Sequence, residues 1–282
     1  METGIEYLTN ARKYSDYTPH PTGGTVHSLE LTTPPELAEI FAPYDLPTIA
    51  GNGDTLSRAL NIMQWITDHS VYDGASMLRP TTSDKIIAHA FDKGEAGCIN
   101  CANKSILLTD ALTHIGIFAL PMALLGWILD PESPSFGHAS SHVVTHVFLP
   151  ELNKWVVLDP SFNTYIVDKD FRPLNIVEIA DAHRNGLQMF AYDIGEDQLA
   201  FKGLACLLYS LPQIQIWRGN DYAHRVGAFT WDTAYWLASE NTLRQAEYLL
   251  ANKELKDYQR DWLSSLPNLT QISVEELLAA PH

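Results

Sequence analysis

The sequence predicts an α+β fold. A helix bearing a cysteine packs on an antiparallel sheet bearing a histidine and an aspartate, and a mainly helical C-terminal elaboration follows. Three observations predict it. Residues 94–119, GEAGCINCANKSILLTDALTHIGIFA, read as a loop that runs into a buried helix. The spacing then changes from helical to β-branched runs, with HVVTHVFL at 142–149 and WVVL at 155–158 joined by a five-residue turn. Two adjacent strands on so short a turn form an antiparallel hairpin. Beyond about residue 180, helical periodicity returns at 233–250 and 254–263.

Length and composition allow such a fold and exclude others. A chain of 282 residues suffices for one large domain or two small ones, and 46% hydrophobic residues can fill a core. The net charge of −16 argues against nucleic acid or an anionic membrane as a partner. Three cysteines, Cys98, Cys101 and Cys206, make no disulfide framework. The longest uncharged apolar run, residues 115–129, is too short to span a membrane and contains Pro121. With no signal-peptide pattern at its start, the chain is expected in the cytoplasm.

Taken in order, residues 1–50 form an extension packed on the core, 51–180 the core itself and 181–282 the elaboration. TVHSLELT at 25–32 suggests a strand, and Pro34-Pro35 opens a short helix over 36–41. Gly51-Asn52-Gly53-Asp54 breaks the chain before a strongly amphipathic helix at 55–69, with Leu56, Leu60, Met63 and Ile66 inward. Trp65 on that helix is a candidate wall of a site, or an oxyanion donor through its indole N–H. A second helix spans 82–91. The cysteine helix starts at Cys101 behind the N-cap Asn100 and stops at Gly116. Asp110 and His114 belong to its solvated face. Residues 119–129 hold the end of this unit and a buried strand, and a third strand is expected at 165–167. Residues 214–217 suggest one more, beside a polar and aromatic cluster of Trp217, Arg218, Asn220, Asp221 and Tyr222. A capping box at 273–276 precedes a last short helix.

The chemistry centres on Cys101. A thiol at a helix N-terminus meets unpaired backbone N–H groups and the positive end of the dipole, which favour thiolate. The same N–H groups can hold an oxyanion. A cysteine nucleophile needs an imidazole, and the imidazole needs an orienting carboxylate. His142 opens one strand and Asp159 closes the next, so the hairpin can bring the two side by side.

The residues also carry a resemblance. The patterns G-x-x-x-C-A-x-x-S-x-L-L-x-x-A-L-x-x-x-G-I-x-A from Gly97 to Ala119, H-V-V-x-x-V-x-L-P from His142 and K-W-V-x-L-D-P-S-F-N from Lys154 resemble the transglutaminase-like superfamily. The resemblance covers about residues 56–163. It implies a papain-like fold and a catalytic triad of Cys101 as nucleophile, His142 as base and Asp159 as orienting carboxylate. The activity it implies is cysteine-dependent acyl transfer through a Cys101 thioester. The substrate would be an amide or activated acyl group on a peptide, protein or small molecule. With water as acceptor the enzyme is a peptidase or amidase; with an amine it is an acyltransferase. Departures from the family pattern are Val143-Val144 after the histidine, His146 for a glutamate, Phe118 for a proline and Leu120 for an arginine. No calcium-loop pattern appears, and no cofactor is implied.

Other readings compete. The superfamily's fold can serve as a catalytically silent binding scaffold. Cys98-Ile99-Asn100-Cys101 at a helix start could be a thiol–disulfide pair, although the residues before it read as helix and loop rather than as a βαβ unit. Cys206 reads as a buried apolar cysteine. His138, His142 and His146 recur every four residues, but on a strand that spacing spans roughly 13 Å. Two imidazoles that far apart cannot share a metal. Besides the triad, Trp65, His146 and Asn100 are the candidate substrate-binding residues. His146 shares a strand face with His142.

Overall fold

The computed structural model describes residues 2–17, 33–194, 200–209, 213–217, 234–238, 240–265 and 274–281. The expected strand at 25–32, the residue 218–222 part of the polar cluster and Ser273 of the capping box lie outside them. Helices α1 (Glu2–Tyr14), α2 (Glu36–Phe41), α3 (Leu46–Ala50), α4 (Thr55–His69), α5 (Ser83–Ala90) and α6 (Cys101–His114) precede the first four strands. These are β1 (Ala119–Trp127), β2 (Ala139–Leu149), β3 (Lys154–Asp159) and β4 (Thr164–Asp168). Then come α7 (Ile176–Asn185), β5 (Met189–Asp193), α8 (Ala200–Tyr209), β6 (Gln213–Trp217) and β7 (Ala234–Ala238). The last helices are α9 (Glu240–Asn252), α10 (Asp257–Ser265) and α11 (Val274–Leu278).

The seven strands form one sheet in the order β5-β4-β3-β2-β1-β6-β7, and each neighbouring pair is antiparallel. Strand side chains alternate between faces, so the sheet has two cores. Ala119, Ala123, Val143, Val147, Val156 and Leu158 pack with α2 to α6. Leu120, Met122, Leu124, Val144, Phe148, Trp155 and Val157 pack with α1, α7, α8 and α11. Burial on both faces explains the unbroken apolar runs of β1 and β3.

Helix α6 is the centre of the first layer. All twelve residues from Ala102 to Thr113 are buried, because α2, α4, α5, β1 and β2 surround it. Full burial of Leu107, Leu108 and Leu112 contributes roughly 1.5–3 kcal/mol each. Asp110, expected on a solvated face, is fully buried and accepts a hydrogen bond of 2.8 Å from Ser83 Oγ. His114 packs against Phe41, ring to ring at 5.6 Å. A short polar side chain can enter a helix packed on all sides when a neighbouring hydroxyl satisfies it.

Start and stop signals act where they stand. Asp54 caps α4 by accepting from Ser57 N at 2.8 Å, and Gly116 ends the α6 unit at φ 78°. On α4 the buried face is Ala59, Ile62, Met63, Trp65 and Ile66, with Leu56 and Leu60 at its border. The region after residue 180 is helical as expected, but it also contributes β5, β6 and β7 to the two edges of the sheet. Residues 234–238, AYWLA, carry a helical spacing in sequence but form β7, antiparallel to β6. Pairing with an available sheet edge overrides weak local propensity.

Candidate active site

The loop before α6 sets the cysteine. Gly97 packs so tightly that a Cβ there would lie 2.6 Å from the His89 carbonyl oxygen, which only glycine tolerates. Ile99 is strapped to the chain after α4: its N–H donates to Val71 O and its carbonyl accepts from Asp73 N, both at 3.0 Å. Asn100 is the N-cap, and its Oδ1 accepts from Asn103 N at 3.1 Å. Its Nδ2 donates to Leu78 O at 2.8 Å and to Ser76 O at 3.4 Å. The Asn100 amide is therefore spent on backbone groups. Cys101 follows as the first helical residue, half-buried, with a backbone N–H that no intrahelical carbonyl can reach.

The hairpin sets the other two groups. His142 Nε2 donates to Asp159 Oδ2 at 2.8 Å, and both side chains are buried. Asp159 Oδ1 accepts from Ser161 N at 2.9 Å, so both carboxylate oxygens are held. The Cys101 thiol is close enough to act on the imidazole, and with Nε2 engaged by Asp159, Nδ1 is the ring nitrogen left for the sulfur. Burial alone would push the His142 pKa down. The Asp159 charge and hydrogen bond, with the bond and charge of Cys101, outweigh it and hold the pKa well above its usual value.

The register explains how the two layers meet. β3 pairs with β2 only from Thr145 to Leu149, so His142 lies past that ladder, where the two strands part. By alternation His142 belongs with the second layer, whereas α6 belongs to the first. It is at this parting that the Cys101 thiol acts on the imidazole.

Three residues that the motifs did not single out surround this group. Phe162 tilts onto His142 with ring centroids 5.7 Å apart, and Tyr72 meets Phe162 edge-on at 5.2 Å. Helix α8 closes the far side. A Cβ on Gly203 would lie 3.1 Å from Phe162 Cβ and 2.9 Å from Thr164 Oγ1. Cys206, one turn further along α8, is half-buried rather than buried and lies within electrostatic reach of His142, Asp159 and Cys101. Its thiol pKa is raised by burial, with His142 opposing and the two anionic groups adding to it. Phe162 stood in plain view in the Asp-Pro-Ser-Phe-Asn run; Tyr72 and Cys206 had no local signal, because chain folding alone brings them here.

The remaining candidates lie apart from the triad. Trp65 sits in an aromatic group with Tyr44, His69 and Phe91, at centroid separations of 5.2, 5.6 and 5.2 Å. His146 is buried and stacks on Trp155 at 4.8 Å, and its Nε2 has no hydrogen-bond partner. Burial lowers its pKa to about 3. Cys98 points its sulfur at Asp73 Oδ2, 3.7 Å away, and Cys98, Cys101 and Cys206 are all free thiols. Among the described residues, no three His, Cys, Asp or Glu side chains group as a metal site, and no helix is long and apolar enough to cross a membrane. A groove of about 240 Å³ between α1 and residues 128–133 touches none of the triad.

Fold and site together define an α+β core that gathers a cysteine, a histidine and an aspartate, with the histidine and aspartate hydrogen-bonded. More narrowly, residues 44–160 match the family model of the Transglutaminase-like superfamily. The matched segment runs from before α3 through β3 and contains Cys101, His142 and Asp159. No curated protein matches the chain. Among solved structures, a protein of Cytophaga hutchinsonii described as a "putative cysteine protease" is similar at 12% identity and a TM-score of 0.32. The similarity covers 68% of this chain and 52% of that one, so the chain spans about half the length of that protein.

Proposed function

We propose that this protein is a cysteine-dependent acyl-transfer enzyme with Cys101 as nucleophile, His142 as general base and acid, and Asp159 as the carboxylate that orients the imidazole. The observation that carries this reading is the buried 2.8 Å bond from His142 Nε2 to Asp159 on an imidazole whose other partner is the Cys101 thiol. The superfamily match over residues 44–160 supports it.

In this reading the Cys101 proton passes to His142 Nδ1, and the sulfur attacks the carbonyl carbon of an amide, ester or thioester. The C–S bond forms as the C=O π pair moves onto oxygen. That oxyanion lies at the Cys101 N–H, at the positive end of α6. When the carbonyl re-forms, the leaving group departs with the proton of His142, leaving a thioester. Water or an amine, deprotonated by the same imidazole, then releases the acyl group. The raised His142 pKa suits the protonated form needed for the leaving step.

The test uses generic reagents. p-Nitrophenyl acetate should give a burst of p-nitrophenol equal to the enzyme concentration, with an acetyl group on Cys101 by peptide mass spectrometry. Cys101→Ala should show no burst. Iodoacetamide should alkylate Cys101 ahead of Cys98 and Cys206. A wild-type protein without burst or acetyl adduct would sink the acyl-transfer reading and leave the binding-scaffold reading in its place.

A further inference from the structure

We propose that the hydroxyls of Thr164 and Ser161 hold one buried water against Asp159, and that Thr164 is through this water a positioning residue for the triad. The inference rests on the acyl-transfer reading and extends it to the turn that follows the orienting carboxylate.

Ser161 Oγ, Asn163 Oδ1 and Thr164 Oγ1 are buried in that turn, and none has a hydrogen-bond partner among the described residues. Such groups are rare in a folded interior, and each costs free energy until something satisfies it. Asn163 turns toward α4, where its Nδ2 donates to Gln64 Oε1 at 2.7 Å. Ser161 and Thr164 stay with Asp159. Ser161 N donates to Asp159 Oδ1 at 2.9 Å, which fixes that residue beside the carboxylate. Thr164 is the direct cross-strand partner of Asp159 in the β3–β4 pair. Opposed residues of an antiparallel pair turn their side chains to one face, with Cβ atoms about 4.5–5.5 Å apart.

The carboxylate supplies the matching half. Its two oxygens offer about four lone-pair sites. His142 Nε2 takes one and Ser161 N another, and Asp159 is buried away from bulk water. Two orphan hydroxyls thus stand next to a carboxylate with acceptor sites to spare. A water about 2.8 Å from each of its partners joins groups up to roughly 5 Å apart. A buried water takes about three such partners, and Thr164 Oγ1, Ser161 Oγ and an Asp159 oxygen supply them. Helix α8 closes over this group: a Cβ on Gly203 would lie 2.9 Å from Thr164 Oγ1 and 3.1 Å from Phe162 Cβ. On its other flank Thr164 is opposed by Asp193 of β5, a half-buried residue with an interaction of its own.

The water donates one hydrogen to Asp159 and is held by the two hydroxyls. A donor on a carboxylate fixes its orientation and disperses its charge. Without that donor, Asp159 turns more of its charge on the imidazole, and His142 holds its proton more tightly. The step that suffers is release of the acyl group, because a neutral imidazole must take the proton of the attacking water or amine.

Two substitutions separate the hydroxyl from the packing. Thr164→Val keeps the shape and removes the hydroxyl, whereas Thr164→Ser keeps the hydroxyl and removes the methyl. In Thr164→Val the NMR titration midpoint of His142 should rise by about 0.5–1 pH unit, and loss of the acetyl group from Cys101 at neutral pH should slow about 3- to 10-fold. Thr164→Ser should keep both at wild-type values. Ser161→Ala should shift the midpoint the same way. Combined with Thr164→Val it should add little, because both hydroxyls act through one water. An unmoved midpoint in Thr164→Val would overturn the role of Thr164. So would an equal shift in Thr164→Ser, which marks packing, or the same shift in Asp193→Asn, which gives the hydroxyl to the other carboxylate. The titration needs no turnover. A wild type that is never acetylated would therefore overturn the acyl-transfer reading alone, and the midpoints would still decide whether Thr164 holds Asp159.

Discussion

His142 and His146 stand four residues apart on one face of β2, both buried, yet their surroundings drive them in opposite directions. His142 lies where β2 and β3 part, bonded to Asp159 and within reach of the Cys101 thiol. Its pKa is raised. His146 lies inside the β2–β3 ladder, opposite Val157 and stacked on Trp155, with no acceptor or carboxylate for its Nε2. Its pKa falls to about 3 because burial acts unopposed. Residue type and strand face are the same, so the difference is one of partners: a neighbouring carboxylate decides whether a buried imidazole holds a proton or stays a neutral piece of core.

The sharpest way to break the comparison is at His142. His142→Ala should slow acetylation of Cys101 by about 10²- to 10⁴-fold, read as the burst rate with p-nitrophenyl acetate. Asp159→Asn tests the partner instead of the ring. It should slow the burst by roughly 10²-fold and bring the His142 pKa down toward its usual value, followed by NMR titration of the imidazole. A pKa that stays high in this variant would show that Asp159 is not its cause.

At His146 the sign reverses and the readout is stability. The native state holds this imidazole neutral, while the unfolded chain binds a proton below about pH 6.5. Stability is therefore lost as pH falls from 6.5 toward 3. His142 has the opposite dependence: its contribution is complete below the unfolded pKa and is lost as pH rises through the raised native one. His146→Phe keeps the stack on Trp155 and should leave the burst rate unchanged. Between pH 6.5 and 5 the wild type should lose about 2 kcal/mol of unfolding free energy more than the variant, by urea titration.

The smallest effect concerns another buried ionisable group, on α6. Lys104, one turn into α6, is buried with its Nζ donating to Ser70 O at 3.0 Å, and burial lowers its pKa from 10.5 to about 8, against the pull of Asp159 and Asp68. The native state resists this charge, so the cost is full below pH 8 and fades as pH approaches 10.5. Lys104→Met should raise unfolding free energy at pH 7 by about 1–2 kcal/mol, after the loss of one hydrogen bond, and by less at pH 10.

Much of this was legible in the chain. The start and end of α4, the Asn100 cap, the Cys101 helix and the β2–β3 hairpin all follow from local signals: a breaker, a cap, a stop glycine, a short turn. Asp110 was misplaced on a solvated face because its buried partner, Ser83, lies 27 residues away. Residues 234–238 read as helix because nothing local announces the sheet edge they join. The strand face shared by His142 and His146 was read correctly, but pattern alone cannot tell a ring at the parting of two strands from one inside the ladder.

The sequence by itself determined the elements that carry Cys101, His142 and Asp159, because caps, turns and alternation act over a few residues. Tertiary structure alone decided which side chains gather around them. Tyr72, Phe162 and Cys206 come from three separate elements, and Trp65 and His146, equally plausible as letters, are turned into the core. Proximity across the chain is set by how the two helical layers close on the sheet, and hydrogen bonds and pKa shifts depend on that proximity rather than on sequence spacing.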